Sequence, residues 1–108
     1  MTLSIPRPVT MLLDAANSHD TDAFLASFTE DGVVDDWGRE FVGVASIRGW
    51  SDRAFIGVNV TLSVIKTATI ADGRLRVSAE VGGDGYTGPS SFTFTSRGPL
   101  VSRMMIRH

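Results

Sequence analysis

Two carboxylates, Asp35 and Asp36, stand side by side in the stretch VVDDWGREF. If this stretch is extended, neighbouring side chains point to opposite faces, so one carboxylate turns outward and the other inward. A carboxylate enclosed by tryptophans and aliphatic side chains loses hydration and becomes a stronger proton acceptor, which suits enolisation or aldol closure. With Trp37 adjacent and Trp50 nearby in sequence, Asp36 is the candidate general base. It could instead pair with Arg39 or Arg53, or cap a hairpin, and do no chemistry. Arg53, in WSDRAF, could hold an acidic or enolate oxygen at a pocket mouth; an arginine ending a helix also complements the helix dipole without any ligand. Trp37 and Trp50 could stack on a planar ligand, although aromatic residues at strand and helix spacing ordinarily fill the core. Tyr86, the single tyrosine, lies in GGDGYTGPS and could lend a hydroxyl to the pocket rim. That glycine-rich stretch lacks the strand-before, helix-after context of a phosphate loop. His19 and His108 have no ligand-spaced neighbours, so the sequence implies no metal site and no cofactor.

Composition narrows the chemistry further. Cysteine is absent, which excludes disulfides, thiolate nucleophiles and cysteine-bound zinc. Ten basic and 12 acidic residues leave a net charge of −2. The basic residues are scattered instead of massed on one element, which argues against nucleic acid as a partner. At 108 residues with 43% hydrophobic content, the chain can bury one real core, and residues 1–108 are expected to form a single domain. MTLSIPRPV lacks the apolar run of a signal peptide, and no stretch approaches the ~20 apolar residues of a membrane span. A soluble cytoplasmic protein with no membrane partner is the expectation.

The elements that must position these residues can be read in order. After Pro6 and Pro8, the residues Val9, Leu12, Leu13 and Ala16 fall at one-face helical spacing, giving a helix that ends near Asn17. Asp20 can cap a second helix with Phe24, Leu25 and Phe28 as its apolar stripe. A short strand from Val33 to Trp37 and another from Arg39 to Val42 follow, with Gly38 for the turn. Ile47 and Trp50 suggest a third helix from Val44 to Ala54, with Gly49 costing about 1 kcal/mol relative to Ala. From Gly57 the chain alternates. Val58, Val60, Leu62 and Val64 share a face; Asp72 and Gly73 make a turn; and Leu75, Val77, Ala79 and Val81 answer. SFTFTS and LVSRMMIRH are two more strands around the RGP turn.

Three helices can cover one face of such a sheet. Phe92 and Phe94 share one side, while Met105 opposes Met104 and Ile106, which leaves apolar residues on both faces. The second face is expected to be covered by another copy, as a homodimer through the sheet.

This order of elements, with AANSHDTDAFLASFTEDGVVDDWGREFVGVASIRGW, resembles the nuclear transport factor 2-like superfamily and its SnoaL-like, polyketide cyclase-like branch. The resemblance rests on N-x-x-D at Asn17 and Asp20, on F-x-x-D-x-V at Phe28, Asp31 and Val33, and on G-x-x-x-I at Gly43 and Ile47. It implies an α+β, cystatin-like cone in which three N-terminal helices pack on a curved, mostly antiparallel sheet. It also implies an apolar pocket for a small hydrophobic molecule, lined by Leu12, Phe28, Trp37, Trp50, Arg53 and Tyr86. In the similar ketosteroid isomerase an Asp base faces an oxyanion hole across that pocket. Asp36 matches the base, which would leave Asp35 pointing to solvent. Leu12 stands where that isomerase has its tyrosine donor, and SFTFTS has no second acid. Loss of one oxyanion donor costs about 2.7–4 kcal/mol elsewhere, so steroid isomerisation is disfavoured. The Asp-Arg-Asp relay of the epoxide hydrolases has no counterpart at recognisable spacing. Cyclases that rely on one acid-base aspartate match better. The alternative is a noncatalytic ligand-binding or dimerisation module, since one fold hosts many functions.

Overall fold

The computed structural model describes residues 5–107. Helix α1 (Arg7–Asn17) starts directly after Pro6, whose carbonyl accepts from the Val9 and Thr10 amides at 3.0 Å each. Its apolar spacing buries Val9, Leu12, Leu13, Ala15 and Ala16. Asp20 caps α2 (Thr21–Ala26) as expected, its Oδ1 accepting from the Ala23 amide at 3.1 Å. The second helix is shorter than its apolar stripe suggested. Ser27 ends it by donating its hydroxyl to the Ala23 carbonyl at 3.0 Å, a local bond that competes with helical continuation. Phe28 therefore opens strand β1 (Phe28–Asp36) instead of closing the helix.

A two-residue turn joins β1 to β2 (Arg39–Val42), with Trp37 at φ 56° and Gly38 at φ 89°. Paired positive φ values are the hairpin geometry whose twist matches the flanking strands. Gly43, at φ 88°, precedes α3 (Val44–Ala54) and gives its amide to the Gly32 carbonyl at 2.8 Å. Only glycine holds that backbone conformation without strain. The third helix thus follows the first hairpin, so the three helices are not a continuous N-terminal run.

A 3₁₀ turn, Ile56–Val58, takes Val58 out of the strand expected there, and β3 begins only at Thr61 (Thr61–Thr69). Strands β4 (Leu75–Gly82), β5 (Gly88–Arg97) and β6 (Leu100–Arg107) complete one six-stranded sheet in the order β2-β1-β6-β5-β4-β3. All neighbours are antiparallel except β1 and β6. The helices lie on one face, where alternation buries Val77, Ala79 and Val81 of β4, Phe92 and Phe94 of β5, and Met104 and Ile106 of β6.

The helix hairpin is fastened to the edge strand β3 by polar groups. The Asn17 carboxamide accepts from the Leu62 amide at 2.7 Å and donates to the Leu62 carbonyl at 3.0 Å. His19 Nε2 lies 2.8 Å from the Val60 carbonyl, which can only accept, so that nitrogen carries the proton. The outer face of the sheet is more polar than the sequence suggested. Val33, Val42 and Met105 share it with Glu40, Arg103 and Arg107, and Thr93 and Thr95 continue it across β5. No helix among the described residues is long and apolar enough to cross a membrane.

Candidate functional site

A cleft of about 450 Å³ opens between the β1–β2 turn, the end of α3, the turn Ile56–Val58 and the β4–β5 connection. Phe92 and Ile106 belong to its lining, as do Val60 and Val81, which makes the wall mainly apolar. Asp36, the last residue of β1, lines the same space. The pleat that buries Val34 places Asp36 on the same inner face.

Its orientation comes from α3. Trp50 is fixed between two rings, stacked on Phe55 at 4.9 Å between centroids and tilted against Phe41 at 6.2 Å. From there its indole N–H donates to Asp36 Oδ2 at 3.0 Å. Arg39 reaches the same oxygen at 3.4 Å, but its side chain is 72% exposed. A water-bathed pair of this kind contributes under about 1 kcal/mol. Both protein donors thus meet Oδ2. Oδ1 has no hydrogen-bond partner among the described residues, and no buried side-chain oxygen there goes unpartnered. Oδ1 is therefore accessible from outside the protein, on a residue that lines the cleft.

Asp35 corrects the expectation that it points to solvent. It lies on the outer face, yet only 5% of its surface is exposed. Oδ1 accepts from the Gly38 amide at 2.8 Å and from Arg107 at 3.0 Å, and Oδ2 accepts from Arg103 at 2.9 Å and Arg107 at 3.2 Å. The Arg107 hydrogen bond is the main reason its carboxyl is held below the usual carboxylate range; burial opposes this, and the Gly38 amide and the charges of Arg107 and Arg103 assist. Arg103 also reaches Glu40 at 2.8 Å, and that bond leads in raising its own pKa. The more deeply buried carboxylate of the pair is the one already saturated by the protein.

The other expected site residues divide. Leu12 and Phe28, at 0% and 3% exposure, are core residues and do not line the cleft. The α1 face that carries Leu12 is spent on core packing, and Phe28 meets Phe24 edge-on at 5.3 Å between centroids. Trp50 belongs to both core and cleft. Trp37 is not core: it is 52% exposed and lines the cleft from the hairpin turn, because the turn lifts it out of the pleat. Tyr86, 47% exposed, lines it from the β4–β5 connection and donates its hydroxyl to the Pro89 carbonyl at 2.9 Å. That connection is tied to the neighbouring 3₁₀ turn by the Asp84 amide on the Val58 carbonyl at 2.7 Å. Arg53 lines the cleft, has no ion pair among the described residues, and folds back along α3. A Cβ at Gly49 would sit 3.2 Å from its Nη1, so the glycine leaves the guanidinium its berth.

Sequence reasoning missed Phe55, Val60, Val81, Ser90, Phe92 and Ile106 as lining residues. Alternation groups Val81 with Val77 and Ala79, Phe92 with Phe94 and Ile106 with Met104; what it lacks is which side faces inward and the strand order that brings them beside Asp36. Among the described residues no group of three His, Cys, Asp or Glu side chains could hold a metal ion. His108 lies outside those residues.

With this geometry established, comparison with known proteins places the chain. The family model of the SnoaL-like domain matches residues 9–105. The chain belongs to the SnoaL-like domain family. No curated protein matches it. Among solved structures it is similar to protein SMa1630 of Sinorhizobium meliloti, a presumed polyketide cyclase, at 27% identity and TM-score 0.81, covering 95% of each chain. A ketosteroid isomerase-like fold from Catenulispora acidiphila, in complex with trimethylamine, superposes at TM-score 0.80 with 22% identity, over 97% of this chain and 87% of that one. RV0760c of Mycobacterium tuberculosis, in complex with estradiol-17beta-hemisuccinate, does so at 0.78 with 14% identity, over 94% and 90%. These likenesses establish the cystatin/NTF2-like fold, with helices packed on a mostly antiparallel sheet.

Proposed function

We propose that this SnoaL-like chain binds a small, mainly apolar carbonyl compound in the cleft and that Asp36 moves a proton on it without a cofactor. The observation that carries the reading is the division of Asp36: Oδ2 is anchored by the Trp50 indole at 3.0 Å, while Oδ1 is left for a ligand. In the proposed step Oδ1 takes a proton from the carbon next to the carbonyl, and the electron pair of that C–H bond forms the enolate. Return of the proton at another carbon gives isomerisation; attack of the enolate carbon on a second carbonyl gives ring closure; loss of a β-hydroxyl as water gives dehydration. Apolar walls support this, since they favour a mainly apolar ligand beside the carboxylate. Arg53 at the edge is the group suited to a carboxylate or enolate oxygen. Trp37 and Tyr86 flank the ligand at the rim. The solved relatives bound to trimethylamine and to a steroid ester support a small-molecule role for this fold.

Exchange of the α-hydrogens of 1-tetralone in deuterated water, followed by proton NMR, tests the reading. Wild type should accelerate exchange and Asp36→Asn should lose at least ~10²-fold, the usual contribution of a general base. Equal rates for the two proteins would overturn the catalytic role.

A noncatalytic carrier is the second reading. It is favoured by the commitment of the nearest donors, since the Trp50 N–H is spent on Asp36 and the Tyr86 hydroxyl on Pro89. Under it, 1-tetralone binds but exchanges no faster with wild type than with the variant. We further propose a homodimer through the outer sheet face, supported by Val42 at 56% exposure beside Val33. Sedimentation equilibrium at micromolar concentration checks it: a mass of one chain would refute it. Residues 1–108 as one cytoplasmic domain complete the proposal.

A further inference from the structure

Ser90 breaks the pattern of the strands around it. On the inward faces of β4 and β5, the positions Val77, Ala79, Val81, Phe92 and Phe94 are all apolar, and Ser90 is the hydroxyl in their midst, paired directly with Ala79. The residue is only 5% exposed and lines the cleft. Its Oγ makes no hydrogen bond within the described residues, yet no buried side-chain oxygen among them goes unpartnered. The hydroxyl must therefore be reachable from outside the protein, on a residue that is otherwise buried and lines the cleft. A polar group placed in apolar surroundings is costly unless something bonds to it, and a hydroxyl both donates and accepts.

We infer that Ser90 is a second polar anchor for the ligand and that, with Asp36, it selects an elongated apolar skeleton carrying an oxygen function at each end. The sheet sets the span. Asp36 pairs with Ile106, Ile106 pairs with Phe92, and Ser90 stands two residues beyond Phe92 on the same face. Two strand spacings and two residue rises separate the two Cα atoms by about 12 Å on a flat sheet, and less where the sheet curves. The Asp36 end takes the hydroxyl or acidic C–H, because a carboxylate only accepts; the Ser90 end takes a carbonyl or hydroxyl. This rests on the reading of the cleft as a ligand site, and it adds the specificity that reading lacks.

Calorimetric titration with two neutral probes separates the claims. 4,4′-Dihydroxybiphenyl carries hydroxyls at both ends, and 4-hydroxybiphenyl carries one. Wild type should bind the first about fivefold more tightly, the value of one net hydrogen bond. Ser90→Ala should erase that preference while leaving the affinity for 4-hydroxybiphenyl within twofold. If wild type binds both probes equally, or if the alanine variant keeps the preference, Ser90 is no anchor and the cleft alone stands. If neither probe binds, the ligand-site reading falls and takes this inference with it. Equal wild-type affinities would overturn the inference even should the variant fold poorly.

Discussion

On the outer face of β1, Asp35 accepts four hydrogen bonds through both carboxylate oxygens, whereas one residue later and on the inner face Asp36 accepts two, both through Oδ2. The two residues have the same side chain and the same strand, and the one with the less exposed side chain, 7% against 18%, is Asp35. What separates them is the chemistry of their neighbours. Asp35 faces two guanidiniums and a turn amide, which fix its charge and use every acceptor. Asp36 faces an indole that orients one oxygen and leaves the other. Burial alone is thus a poor guide to function, and the count of unspent acceptors is a better one.

The largest effect expected from breaking this comparison is on catalysis. Asp36→Asn should lower α-hydrogen exchange at least ~10²-fold and leave the melting temperature within a few degrees, since the amide can keep the Trp50 bond. Asp35→Asn should do the reverse. It weakens a clamp whose carboxylate is 7% exposed but whose arginines, at 34% and 37%, stay partly hydrated. Its cost should be about 2–3 kcal/mol, or roughly 10–20 °C in thermal unfolding, with exchange activity of the folded protein nearly unchanged.

Acid sharpens the same contrast. Because the Arg107 bond depresses the folded-state pKa of Asp35, its stabilisation is complete above the unfolded value of ~3.9 and is lost as pH falls through the lower folded value. Urea unfolding of wild type and Asp35→Asn should therefore differ at pH 7 and converge toward pH 2; a constant gap would contradict the clamp. Trp50→Phe keeps a ring between Phe41 and Phe55 but removes the N–H, and should cost about 1 kcal/mol of Asp36 positioning, a few-fold in exchange rate. The smallest effect belongs to Arg39→Gln, within ~0.5 kcal/mol and twofold in rate, because that ion pair is exposed.

Much of the scaffold was legible because it depends on local rules. The α3 boundaries, the Asp20 cap, the Gly38 turn and the alternation of β4 and β5 all follow from neighbours within a few residues. Phe28 misled because helical spacing from Phe24 was read without the competing Ser27 hydroxyl. Asp35 misled for a different reason: its partners Arg103 and Arg107 lie 68 and 72 residues away, and only the parallel pairing of β1 with β6 brings them together. The sequence already sets Trp50 beside Asp36 as an enclosing ring, but the hydrogen bond joining them needs the packing of α3 on the hairpin. Ser90 went unnoticed because a lone serine in a strand becomes conspicuous only when its surroundings are known to be apolar.

The central claim is that Asp36 meets the ligand and Asp35 does not. Carbon-13 NMR of the aspartate carboxyls, with 4,4′-dihydroxybiphenyl titrated into wild-type protein, reads both residues at once. The Asp36 signal should move with saturation while the Asp35 signal stays fixed; saturable binding that shifts Asp35, or leaves Asp36 unmoved, would contradict the account.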